Sequence, residues 1–134
     1  MQATDSTKHK VLIVDDEPEI REFLTDYMIE RGGYDILEAG NLGEMLDVVK
    51  KESDVDLMVL DLIMPDSKGL EALEAIKEHN QDLPVIVLTG YPGLIEPSLA
   101  AGASQHFEKP FSPKEIEGII RESLKTGDMA SSVS

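Results

Sequence analysis

Two neighbouring aspartates, Asp15 and Asp16, follow directly on the apolar run Val11-Leu12-Ile13-Val14, and a third, Asp61, closes a second run, Leu57-Met58-Val59-Leu60. Short apolar runs of this kind read as strands buried on both faces of a parallel sheet, and ligands of such sheets bind just beyond the strand C-termini. An acid in that place meets solvent and ligand, not core. Three carboxylates gathered there repel one another and need a cation to hold them together. The chemistry they suggest is an acidic, phosphate-accepting pocket. In a competing reading each Asp only caps the helix that follows it, as a favoured N-cap residue, with Pro18 in a first helical turn. That accounts for one Asp, and less well for an adjacent pair plus a third at the matching end of another strand.

The elements that must position these acids alternate between buried runs and helical spacing, the mark of an α/β fold. After the first strand, Ile20, Phe23, Leu24, Tyr27 and Met28 share a helical face, and Gly32-Gly33 ends it. Residues 34–39 read as a second strand. Asn41 with Glu44 forms a capping box opening a helix with Leu42, Met45, Leu46 and Val49 on one face. A third helix is expected to begin at Gly69, with Leu70, Leu73 and Ile76 inward. Val85-Ile86-Val87-Leu88 gives a fourth strand ending at Thr89-Gly90, and His106-Phe107 lies in a short fifth ending at Lys109-Pro110. Ser112 and Glu115 form a second capping box with Pro113 at the first helical position, and Ile116, Ile119, Ile120 and Leu124 make the inner stripe of the last helix.

Composition bounds the function. A chain of 134 residues, 41% hydrophobic, makes one domain with a core of its own. The absence of Cys excludes a disulfide framework, a thiolate metal site and a thiol nucleophile, in keeping with a reducing cytoplasm. Twelve basic against twenty-seven acidic residues give a net charge of −15, which opposes direct binding of nucleic acid or of an anionic membrane. No apolar stretch approaches a membrane span, and a cytoplasmic protein is expected. His9, His79 and His106 have no ligand spacing, so a histidine metal site or a Ser-His-Asp triad is not indicated.

Four pieces now stand in one order: Val11 to Glu17 with its acidic pair, Leu60-Asp61-Leu62-Ile63-Met64-Pro65 with Gly69 following, Leu88-Thr89-Gly90, and Lys109-Pro110-Phe111. Over about Lys10 to Leu124 the chain resembles the receiver domain of two-component response regulators, of the chemotaxis-regulator kind. Each piece ends a different expected strand, so all four converge on one site. The resemblance implies a flavodoxin-like, doubly wound five-stranded parallel sheet in the order 2-1-3-4-5 with helices on both faces. It implies that Asp61 is the phosphoacceptor, taking a phosphoryl group from the phosphohistidine of a sensor histidine kinase or phosphotransfer protein. Asp15, Asp16, Asp61 and the main-chain carbonyl of Ile63 match a Mg²⁺ site, Asp15 mainly through water. Lys109 matches the lysine that pairs with a phosphoryl oxygen. Thr89 matches the hydroxyl that is drawn to the phosphoryl group on activation, and Phe107 is taken as the aromatic that turns inward with it. A cis bond is implied at Lys109-Pro110. The domain is expected over 10–125, between a flexible N-terminus, 1–9, and a disordered tail, 126–134. The resemblance implies a phosphoacceptor and not a turnover enzyme, which is expected to pass its signal to an effector protein or to a domain missing from this chain.

Departures from the family pattern concentrate between Thr89 and Lys109. Gly93 weakens a helix start and Pro97 removes a helical N–H, so a shortened fourth helix is expected from about Pro97 to Ala101, with loop before it. A monomer is expected, since a dimer through that region needs a long fourth helix. Ile63 and Tyr91, both bulky, flank the expected phosphate. An aspartate-nucleophile phosphatase of the haloacid dehalogenase type is the alternative, but it wants a second acid where Ile63 stands. A flavodoxin-like cofactor carrier would want a hydroxyl- or glycine-rich loop where this chain has Asp15-Asp16-Glu17.

Overall fold

The runs Val11 to Val14, Leu57 to Leu60 and Val85 to Leu88 have no polar side to offer water, and the structure gives them none. In the computed structural model, which describes residues 8–109 and 111–133, they form the three interior strands of one parallel sheet. The strands are β1 (His9–Val14), β2 (Tyr34–Ala39), β3 (Leu57–Asp61), β4 (Val85–Thr89) and β5 (Gln105–Glu108), in the spatial order β2-β1-β3-β4-β5. The edge strands β2 and β5 carry the exposed positions. Helices α1 (Pro18–Arg31), α2 (Leu42–Lys51), α3 (Glu71–His79), α4 (Ile95–Ala100) and α5 (Pro113–Val133) make the crossovers and the last layer.

Strand periodicity sorts the core into two layers. Val11, Ile13, Leu57, Val59, Ile86 and Leu88 face Leu24 and Met28 of α1 and Ile116 and Ile120 of α5. Leu12, Val14, Met58, Leu60, Val85 and Val87 face Met45 and Val49 of α2 and Leu73 and Ile76 of α3. The register then decides which residues meet at the C-terminal edge. Val14 pairs with Leu60, Asp61 with Leu88, and Thr89 with Glu108. Continued one step, the alternation sets Asp15, Asp61 and Lys109 on the α1/α5 face and Thr89 on the other.

The caps hold where the spacing placed them. Asn41 Oδ1 accepts from Glu44 N at 2.8 Å, while Glu44 Oε1 takes the N–H of Gly40, one residue earlier than in a strict capping box. Ser112 and Glu115 exchange backbone-to-side-chain bonds at 3.2 Å each. Gly32 and Gly33 end α1 at φ of 84° and 92°, a region costly for any residue with a Cβ.

Four expectations are corrected. The third helix starts at Glu71 and not at Gly69, which sits at φ 52° in a left-handed turn before it. Phe23 is 63% exposed, because the buried line of α1 runs through Leu24, Thr25 and Met28 and leaves Phe23 at its margin. Residues Pro92–Leu94, expected as loop, form a 3₁₀ turn that leads into α4 at Ile95. Pro97 then occupies the third helical position, where its missing N–H is one of the first-turn groups that need no intrahelical partner. Finally, α5 continues through 126–133, where a disordered tail was expected. An already formed helix gains a hydrogen bond with each added residue, which a composition-based reading does not see. The N-terminal segment expected to be flexible lies, apart from Lys8 and His9, outside the described residues. So does Pro110, and with it the expected cis bond.

Candidate phosphoacceptor site

Because β1 and β3 are neighbours in register, Asp15 and Asp61, one residue on from the Val14–Leu60 pair, stand side by side. One carboxylate oxygen from each of Asp15, Asp16 and Asp61 lies within 4.8 Å of the others. Asp15 and Asp61 are buried and Asp16 is half-buried. Each buried acid gives one oxygen to the backbone N–H two residues ahead: Glu17 N donates to Asp15 Oδ1 at 2.9 Å, and Ile63 N to Asp61 Oδ1 at 3.0 Å. These short Asx turns fix both rotamers and leave one oxygen of each acid for other work. Asp61 Oδ2 accepts from Lys109 Nζ at 2.9 Å. Asp15 Oδ2 is buried and has no hydrogen-bond partner among the described residues, with Lys109 Nζ 3.9 Å away.

The charges are out of balance. Burial pushes the Asp15 carboxyl up to about 6, with the Asp61 and Asp16 charges adding to the rise. Burial also pushes Asp61 upward, more than its bonds from Ile63 N and Lys109 pull it down. Burial disfavours the Lys109 cation as well, but the hydrogen bond to Asp61 and the charges of Asp61, Asp15 and Glu17 outweigh it and hold the ammonium charged. The Lys109 ammonium thus faces three acids, since Glu17 Oε1 is also 3.8 Å from it, and Asp16 adds a fourth carboxylate to the cluster. A divalent ion fits this donor set: hard carboxylate oxygens, one of them orphaned and buried, in a cleft lined by Asp16, Glu17, Asp61, Ile63, Gly90, Tyr91 and Lys109.

Thr89 is fully buried, and its Oγ1 accepts from Tyr91 N at 3.0 Å. Ile63 and Tyr91 line the cleft and are 41% and 58% exposed. Phe107 is not brought to Thr89. It pairs with Leu88 and packs into the α1/α5 layer against Phe111, ring centroids 6.4 Å apart, whereas His106, paired with Val87, is the β5 residue on the Thr89 face. Two residues before Lys109 means the same side as Lys109, which is why the position chosen from sequence falls on the wrong face.

Two residues near the site were missed from sequence. Glu17 was read only as part of the acidic run. Arg21 reaches back along α1 to donate from Nη1 to the Asp15 carbonyl at 2.6 Å and from Nε to Glu38 Oε1 at 2.9 Å. Helix side chains lean toward the N-terminus, so an Arg one turn into the helix after the acidic pair was a usable signal.

The profile of the response regulator receiver domain matches residues 11–121. The chain is 38% identical over 127 residues to the "Probable transcriptional regulator ycf27" of Porphyridium aerugineum, covering 93% of this chain and 52% of that protein. It is also 38% identical over 117 residues to the "Sporulation initiation phosphotransferase F" of Bacillus subtilis, covering 86% of this chain and 93% of that one. The chain thus spans about half the length of the ycf27 regulators it matches and most of the sporulation protein. Among solved structures, a CheY-like receiver domain protein from Methanospirillum hungatei JF-1 superposes with a TM-score of 0.83 at 30% identity, covering 92% of this chain and 98% of that one. Sheet order, the acids at the ends of β1 and β3, the lysine after β5 and these likenesses agree: the chain belongs to the receiver-domain family of two-component response regulators.

Proposed function

We propose that this receiver accepts a phosphoryl group on Asp61 from the phosphohistidine of a sensor histidine kinase or phosphotransfer protein, and relays the event to an effector. The observation that carries the reading is the Asp61 carboxylate, held by Ile63 N and Lys109 Nζ beside an Asp15 oxygen that has no hydrogen-bond partner among the described residues. A carboxylate oxygen of Asp61 forms the new P–O bond as the P–N bond to imidazole breaks, and the donor histidine leaves as a neutral ring once it holds a proton. Lys109 offers its ammonium to a phosphoryl oxygen, and the Thr89 hydroxyl, whose oxygen accepts from Tyr91 N, can donate its proton to that group once it turns toward it. Mg²⁺ would be held by Asp15, Asp16, Asp61 and the Ile63 carbonyl, where it offsets anionic charge that repels a phosphoryl donor.

The donor's approach is over an apolar recess of about 380 Å³ between Ile20, Phe23, Leu24, Phe111 and Pro113, which shares Lys109 with the acidic cleft. An exposed Phe23 at its rim gives a partner helix an anchor beside the chemistry. The domain acts as a phosphoacceptor and not a turnover enzyme, in the cytoplasm, as a monomer, without touching nucleic acid itself. Among the described residues no helix is long and apolar enough to cross a membrane.

The test is incubation with phosphoramidate and Mg²⁺, followed by intact mass. One base-labile phosphoryl group per chain is expected, lost in Asp61→Asn with the fold retained. Sustained hydrolysis of many phosphoesters, or undiminished labelling of Asp61→Asn, overturns the reading in favour of a phosphatase or another acceptor.

A further inference from the structure

The Asp15-Asp16 peptide must be held still if its two carboxylates are to serve one ion, yet the bonds that hold the acids themselves are few. Asp15 N donates to the Ala39 carbonyl at 3.1 Å, and Asp15 Oδ1 is fixed by Glu17 N. The Asp16 carboxylate accepts no hydrogen bond among the described residues. Its position follows from the main chain that carries it, and the other end of that peptide unit is the Asp15 carbonyl. That carbonyl takes the short Arg21 Nη1 bond, and the same guanidinium is braced by Glu38 at the end of β2. Arg21 is only 18% exposed, and Gly40 lies close enough that a Cβ there would stand 3.1 Å from Nη1. The guanidinium is therefore seated in a gap that the backbone at Gly40 leaves open.

We infer that Arg21 is a positioning residue for divalent-cation binding: it ties the Asp15-Asp16 peptide to the end of β2 and so keeps Asp16 in reach of Asp15 and Asp61. This rests on the metal-site reading above. A guanidinium is suited to the task, since its planar fork bonds a carbonyl and a carboxylate at once, which an ammonium on a flexible stem does not reproduce.

The position has a useful property: its two candidate roles have opposite signs. A cation this close to a metal site repels Mg²⁺, so if Arg21 acted by charge alone its removal would tighten binding. If it acts by holding the loop, removal weakens binding, in the range of about tenfold typical for groups that orient a metal ligand. The experiment is calorimetric titration of chelator-stripped protein with Mg²⁺ alone, for wild type, Arg21→Ala, Arg21→Lys and Asp16→Asn. Folding of each is checked by circular dichroism and thermal unfolding without metal. Arg21→Ala is expected to bind about tenfold more weakly, with Arg21→Lys between it and wild type. The Mg²⁺ concentration that half-saturates phosphorylation by phosphoramidate should rise by the same factor. Unchanged or tighter binding by folded Arg21→Ala overturns the inference, as does wild-type affinity in Arg21→Lys, which would mean that the fork between the Asp15 carbonyl and Glu38 is not what sets the site. Should Arg21→Ala fail to fold, Arg21→Lys decides alone by the same criterion. If wild type binds no Mg²⁺, or Asp16→Asn binds it as well as wild type does, the metal-site reading fails instead, which separates the two outcomes.

Discussion

Metal-free protein should lose stability as pH rises from about 4 to 6, and Asp15→Asn should remove the share of that loss that belongs to Asp15, leaving the share of Asp61, which burial also pushes up. The Asp15 carboxyl moves from an ordinary 3.8 to about 6, with burial as the main cause. Between those values the folded chain holds a proton that the unfolded chain has released, so stability falls with rising pH across that window and levels off above it. A rise of about two pH units corresponds to about 3 kcal/mol at about 1.4 kcal/mol per unit. Asn keeps the acceptor for Glu17 N but puts an N–H₂ where Oδ2 has no partner, which carries a cost of its own of about 1–3 kcal/mol. That cost does not depend on pH. The quantity to follow is therefore the difference in unfolding free energy between wild type and Asp15→Asn, by urea denaturation with a chelator from pH 4 to 8. It should shift in favour of the variant by about 3 kcal/mol and then stay flat. A difference constant across the range would show that Asp15 ionises as easily in the fold as outside it. With Mg²⁺ the sign reverses: protons compete with the ion for Asp15, so below pH 6 the apparent affinity should drop, at most about tenfold per unit from this one group.

Tyr34→Phe should cost about 1 kcal/mol, because it removes only the 2.8 Å bond from the Tyr34 hydroxyl to a buried Glu117 that keeps Arg121; urea unfolding is the measurement. If Ile63 and Tyr91 shield the acyl phosphate, Ile63→Asn with Tyr91→Ala should speed its hydrolysis several-fold, read as loss of label after the donor is removed; an unchanged rate would mean that water already enters freely. The short α4 predicts that beryllofluoride and Mg²⁺ change hydrogen exchange over Tyr91 to Ser98 while sedimentation still reports a monomer. A tight activation-dependent dimer would contradict it.

The sheet was legible because its interior strands are bare apolar runs, two of which end in acids, so strand and site announced themselves together in Val11 to Asp16 and Leu57 to Asp61. What escaped depended on direction and not on type. Phe23 and Leu24 are equally apolar, and only the seating of α1 on the sheet decides which is buried. Phe107 and His106 are adjacent in sequence and lie on opposite faces, a difference carried by strand alternation and not by residue type. Pro97 was read as the first residue of the fourth helix with loop before it, whereas it is the third, because its missing N–H is spared throughout the first turn and not at the first position alone. Arg21 went unseen because a charged residue on an exposed helix is ordinarily solvated, and its partners, a main-chain carbonyl and Glu38, come from other segments.

The alternation of strand residues has one more consequence. Asp61 and Lys109 belong to the side of the sheet covered by α1 and α5, while Thr89 continues the side covered by α2 and α3. The sheet is a partition, and at its C-terminal edge a single hydroxyl stands on the far side of the wall from the group it would answer. A donor docked on the α1 and α5 side, as proposed, would leave the side of Thr89 free, so that writing and reading would not compete for the same ground.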